Sequence, residues 1–185
     1  MKTKATVFLL VLTIILSASL ANAQKMAHDH SKTNSMSANN AAEAFKQFQG
    51  LVGKWKATTA KGATAHLEYE LVSNGTALHE RYTDDGDKDD TNLITMYFLD
   101  RDSLMATHYC SLNNQPRYRA VLDSANLKQV RFKMVDATNM ADPNGPVMYK
   151  FTVDFQDQDH FVSTWVMRDK GKDVYNEQLH WERVK

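Results

Sequence analysis

One cysteine, Cys110, stands in a chain of 185 residues. No internal disulfide is therefore available, and the fold has to be held by burial. Charge of one sign is lacking too: 22 basic side chains balance 22 acidic ones. That balance gives no electrostatic reason to expect nucleic acid or an anionic membrane surface as partner. The apolar run at the amino terminus, Val7 to Leu16, is short of the ~20 residues a membrane span needs. There is no Gly-x-Ser-x-Gly nucleophile motif, no internal repeat, and no helical pattern long enough for a parallel βαβ layout.

What is present at the amino terminus reads as an export signal. Lys2 and Lys4 precede the apolar run and the small residues Ala21-Asn22-Ala23 follow it, the three parts of a secretory signal peptide spanning residues 1–23. Cleavage after Ala23 predicts a periplasmic or secreted protein. No cysteine follows the run directly, so a lipid anchor is not expected. The two leader lysines removed, 20 basic side chains face 22 acidic ones, in a chain long enough for one domain with a single core. Residues 24–39 are polar and aperiodic and read as a disordered leader. His28 and His30, with Met26 and Met36, offer donors for a soft metal such as copper, although a solvated tail is the simpler reading.

Residues 40–185 form the expected domain. Asn40 with Glu43 three residues on marks a helix start, Ala41, Ala42 and Ala44 favour the helix, and Gly50 ends it. From Gly53 onward, short apolar-alternating runs are broken by turn residues, at about 53–59, 64–72, 77–83, 92–99, 104–110, 117–122, 128–134, 147–155, 161–168 and 174–183. Ten such runs at hairpin spacing predict an all-β fold, an antiparallel meander closed into a barrel that leaves no free edge. The acidic loop Asp84 to Asp90 fails as a calcium loop: counted from Asp85, position six is Asp90 where glycine is needed and position twelve is Met96 where glutamate is needed. It reads as a solvated hairpin tip.

Hairpin registers assign faces, because side chains alternate along a strand. A tight turn at Asn74-Gly75 pairs Leu71 with Leu78 and Tyr69 with Glu80, which puts Glu80 on an apolar face. Glu68 and Arg81 fall together on the outer one. A loop from Asp169 to Asp173 pairs Trp165 with Glu177 and Phe161 with Trp181. In the centre, a hairpin at Arg101-Asp102, a six-residue loop at Ser111 to Pro116 and a four-residue loop at Ser124 to Leu127 put Thr95, Tyr97, His108, Cys110, Arg117 and Arg119 on one face. The resulting expectation is a polar cavity of Glu80, His108, Arg117, Arg119 and Glu177 walled by Tyr97, Trp165 and Trp181. Lone buried charges are costly, so the acids and arginines are expected to neutralise one another or a charged ligand. The same phase leaves Ile94, Met96, Phe98, Met105 and Tyr109 outside, an apolar face that a homodimer contact or the amino-terminal helix would cover.

The helix leading into Gly53-Lys54-Trp55, the meander and the closing Trp181-Glu182-Arg183 resemble the calycin superfamily of lipocalins, fatty-acid-binding proteins and nitrobindins. Thr107-His108-Tyr109-Cys110 and Asn114-Gln115-Pro116-Arg117 look like runs in exported bacterial lipocalin-like proteins of uncharacterised activity. The resemblance implies that Trp55 plugs the barrel floor and Arg183 packs over it. It also implies a small-molecule ligand, with Arg117, Arg119 and Tyr97 placed to hold a carboxylate. A nitrobindin-like alternative needs haem on a late-strand histidine; His180 lies at that place, but its neighbours Leu179 and Trp181 point in, so it is expected to point out. A third reading is an isomerase or lyase using His108 with Glu80 or Glu177 as acid and base. Cys110 beside His108 reads as an inert buried thiol rather than a nucleophile. No cofactor and no metal is expected from the residues themselves.

Overall fold

A computed structural model describes residues 37–86 and 92–185. The expected signal peptide, the His28, His30, Met26 and Met36 donors and residues 87–91 of the acidic loop lie outside the described residues. A helix, α1, covers 37–49. It begins three residues before the expected start, so Asn40 sits inside it rather than capping it. Ten strands follow: β1 Gly53–Thr58, β2 Thr64–Val72, β3 Ala77–Asp84, β4 Leu93–Asp100, β5 Ser103–Tyr109, β6 Gln115–Asp123, β7 Asn126–Thr138, β8 Val147–Phe155, β9 His160–Asp169 and β10 Lys172–Arg183. Each pairs antiparallel with the next, and β1 also pairs with β10, so the sheet closes on itself. This is the expected ten-stranded closed barrel. No described helix is long and apolar enough to cross a membrane.

Helix α1 buries Ala41, Ala44, Phe45 and Phe48, residues spaced three and four apart on one face. Phe48 reaches the barrel interior, 4.8 Å from the ring of Tyr97 and within 6 Å of Phe132 and Phe155. The helix therefore plugs an end of the barrel and does not cover the outer apolar face. There Ile94, Met96, Phe98 and Met105 are half-buried and Tyr109 is exposed.

The turn from α1 into β1 rests on Arg183. Its guanidinium lies 4.1 Å over the ring of Trp55 and donates to the carbonyls of Gly50, Val52 and Gln158 at 2.8, 2.8 and 3.0 Å. Trp55 is buried and donates its indole N–H to Leu51 O at 2.7 Å. Gly53 has φ +123°, and a Cβ there would stand 3.2 Å from Arg183 Nη1. Glycine is thus needed at this position both for the backbone angle and for the guanidinium. Gly53→Ala is expected to cost about 2 kcal/mol in urea denaturation. Gly75→Ala, also at positive φ but with nothing within 4 Å, is expected to cost less. Equal losses would mean that the Arg183 clamp does not set the requirement.

Candidate functional site

Three of the expected registers are the observed ones. Tyr69 pairs with Glu80, Thr95 with His108, and Trp165 with Glu177. Since Glu80 also pairs with Thr95, β2, β3, β4 and β5 place Tyr69, Glu80, Thr95 and His108 side by side on the inner surface. Of these Tyr69, Glu80 and His108, with Tyr97, Trp165, Glu177 and Trp181, line a cavity of about 130 Å³. Arg81 and Glu68 meet at 2.8 Å on the outside, as their pairing requires.

Arg117 and Arg119 do not join this cluster. Both are exposed on the outer face of β6, where Arg117 forms a two-pronged bond to Asp136. The observed partner of Phe132 is Ala120, not Arg119, and that of Ala106 is Tyr118. An odd offset in each hairpin turns Tyr118 inward and the arginines out. His180 is exposed on β10, as expected, and offers the interior no axial nitrogen.

Glu80 is buried and carries no cationic partner. Its Oε2 accepts the hydroxyls of Tyr69 at 2.6 Å and Tyr97 at 2.8 Å. Burial pushes the Glu80 carboxyl above the usual range, against the pull of the hydroxyls around it. The phenols of Tyr69 and Tyr97 are raised well above the ordinary tyrosine value by burial and by the neighbouring carboxylate, and stay protonated.

His108 lies beside this group, next to Thr95. The Thr95 Oγ1 lies 3.0 Å from His108 Nδ1, and which of the two donates follows the tautomer of the ring. Nε2 is buried and has no hydrogen-bonding partner in the protein. Burial lowers the imidazole to about 4, so the ring is neutral over the physiological range. Its face leans on Trp165 at 4.9 Å, and Trp165 continues into a column of stacked rings through Phe151 and Phe132 at 4.1 and 4.3 Å. Glu177, half-buried at the cavity wall, accepts from the Tyr175 hydroxyl.

The expected registers place Tyr69 and Thr95 on the inner faces, but the expected site does not count them. Their signal was present in the register, because a carboxylate turned onto an apolar face needs donors from its cross-strand neighbours. Cys110 is half-buried just beyond β5 and burial raises its thiol, so it stays protonated. No group of three or more His, Cys, Asp or Glu among the described residues is arranged to hold a metal ion.

No protein-family model matches the chain, and no curated protein does. Among solved structures it is similar to a protein of unknown function of the DUF3598 family from Nostoc punctiforme. The two share 12% identity over 74% of this chain and 48% of that one, with a TM-score of 0.48. The chain thus spans about half the length of that neighbour, and a likeness at this level carries no functional argument.

Proposed function

We propose that this chain is an exported, calycin-type barrel that binds a small amphipathic molecule in its interior. The observation that carries the reading is the aromatic-walled cavity lined in part by His108, whose buried Nε2 has no partner in the protein. Natural interiors leave few such atoms unsatisfied, and a bound molecule beside the ring would complete this one. The Trp55–Arg183 stack supports the calycin reading, and the amino-terminal apolar run supports export. At about 130 Å³ the cavity suits something near the size of benzene, which a cavity of about 150 Å³ accepts. A long acyl chain is too large for it. The expected hold on a ligand carboxylate loses its support, because Arg117 and Arg119 face solvent.

A second reading rests on the Thr95–His108 hydrogen bond beside the buried Glu80. Such a contact orients the imidazole for acid–base work, so a bound molecule with an acidic proton is a substrate candidate for isomerase or lyase chemistry.

The test of binding is thermal unfolding, with tryptophan fluorescence, in the presence of toluene, benzyl alcohol, benzylamine and benzoate. At least one probe is expected to raise the melting temperature by several degrees and to quench Trp165. Leu93→Trp, which fills the lip of the cavity, is expected to abolish both effects. If no probe shifts either signal, the binding reading fails.

A further inference from the structure

Two carboxylates, Glu80 and Glu177, face this cavity, and among the described residues no lysine or arginine lines it. A buried carboxylate without a cation is costly, and proteins normally pair it. Glu80 has two neutral donors instead, the hydroxyls of Tyr69 and Tyr97. They satisfy the carboxyl without bringing a charge of opposite sign. The acidic groups turned to the cavity thus favour a cation and oppose an anion. The walls agree: Tyr82, Trp165, Tyr175 and Trp181 present aromatic surface, and ring faces attract cations.

We propose that the ligand is a small organic ammonium ion, its charge set against Glu80 and Glu177 and its apolar body on Trp165. The proposal rests on the binding reading above and adds the chemical class of the ligand. A protonated amine meets both requirements, and a neutral alcohol lacks the charge.

Fluorescence titration of the full chain with benzylamine, benzyl alcohol and benzoate separates these terms, because the three share a ring and differ in the charge of the head group. Benzylamine is expected to bind about tenfold or more tighter than benzyl alcohol, the ratio expected for a cation held by ring faces and carboxylates. Benzoate is expected to bind weakest. Glu177→Gln is expected to shrink the benzylamine to benzyl alcohol ratio severalfold, a readout that a merely structural role for Glu177 would leave unmoved. Benzyl alcohol or benzoate binding as tightly as benzylamine would overturn the ammonium proposal and leave the binding reading standing. Silence from all three would remove both.

Discussion

Phe48→Ala is expected to cost 3–5 kcal/mol, the usual range for deleting a fully buried aromatic ring. For a domain of this size that is a fall in melting temperature on the order of 10 °C. Phe48 has no exposed surface and touches Tyr97, Phe132 and Phe155, rings from three different strands. The loss is not only of area. The Tyr97 ring leans on Phe48 while its hydroxyl holds Glu80, so a cavity at position 48 lets Tyr97 relax and weakens a donor to the buried carboxylate. Guanidinium denaturation read by circular dichroism measures the first effect. Lys46→Ala, on the exposed side of the same helix, is the control and should stay within about 0.5 kcal/mol. A loss for Phe48→Ala below about 1 kcal/mol would mean that the helix is not seated in the barrel.

The barrel was legible because its pattern is local. Alternation of apolar and polar residues and the turn residues between runs mark each strand without knowledge of its partners. Face assignment is a different matter, since it depends on how many residues each turn consumes. At β9 and β10 the turn is tighter than the five residues expected, with Asp169 paired to Lys172, but a bulge between Asp173 and Tyr175 absorbs the difference. Trp165 and Glu177 still meet. At β6 and β7 irregularities fall between Arg117 and Tyr118 and between Val121 and Asp123, and nothing in the residue types announces them.

The arginines show which signal to trust. Tyr118, Ala120 and Leu122 alternate with Arg117, Arg119 and Val121, and the apolar set is the one that faces the core. Alternation alone therefore pointed the right way. The loop-length count overrode it and buried two guanidinium groups, a placement that costs several kcal/mol per unpaired ion. Where a turn count and the burial of a charge disagree, the charge is the better guide. Glu80 is the instructive exception, because the Asn74-Gly75 register kept it inward and the hydroxyls of Tyr69 and Tyr97 are there to receive it.

Acid is expected to destabilise the barrel through His108 before the exposed carboxylates titrate. In the folded chain burial lowers this imidazole to about 4, against an ordinary value of 6.5. Between those values the unfolded chain takes up a proton that the folded one refuses. The stabilising contribution is therefore complete above pH 6.5 and is lost as pH falls toward about 4. Its size approaches about 3 kcal/mol at the lower end. Glu80 works in the opposite sense. Its raised value means that the folded chain binds the proton more readily, so its contribution is fullest in acid and declines as pH rises through the folded value. The exposed carboxylates of Glu68, Asp136, Asp157 and Asp173 are held low by their partners and add their losses only further into acid. Urea denaturation at intervals from pH 7.5 to 4.5 separates these groups. His108→Gln is expected to flatten the curve between pH 6.5 and 4.5, and Glu80→Gln to steepen it over the lower part of that range. Equal slopes in the wild type and His108→Gln would mean that the imidazole takes up its proton in the folded chain, which is incompatible with a buried, neutral ring at this position.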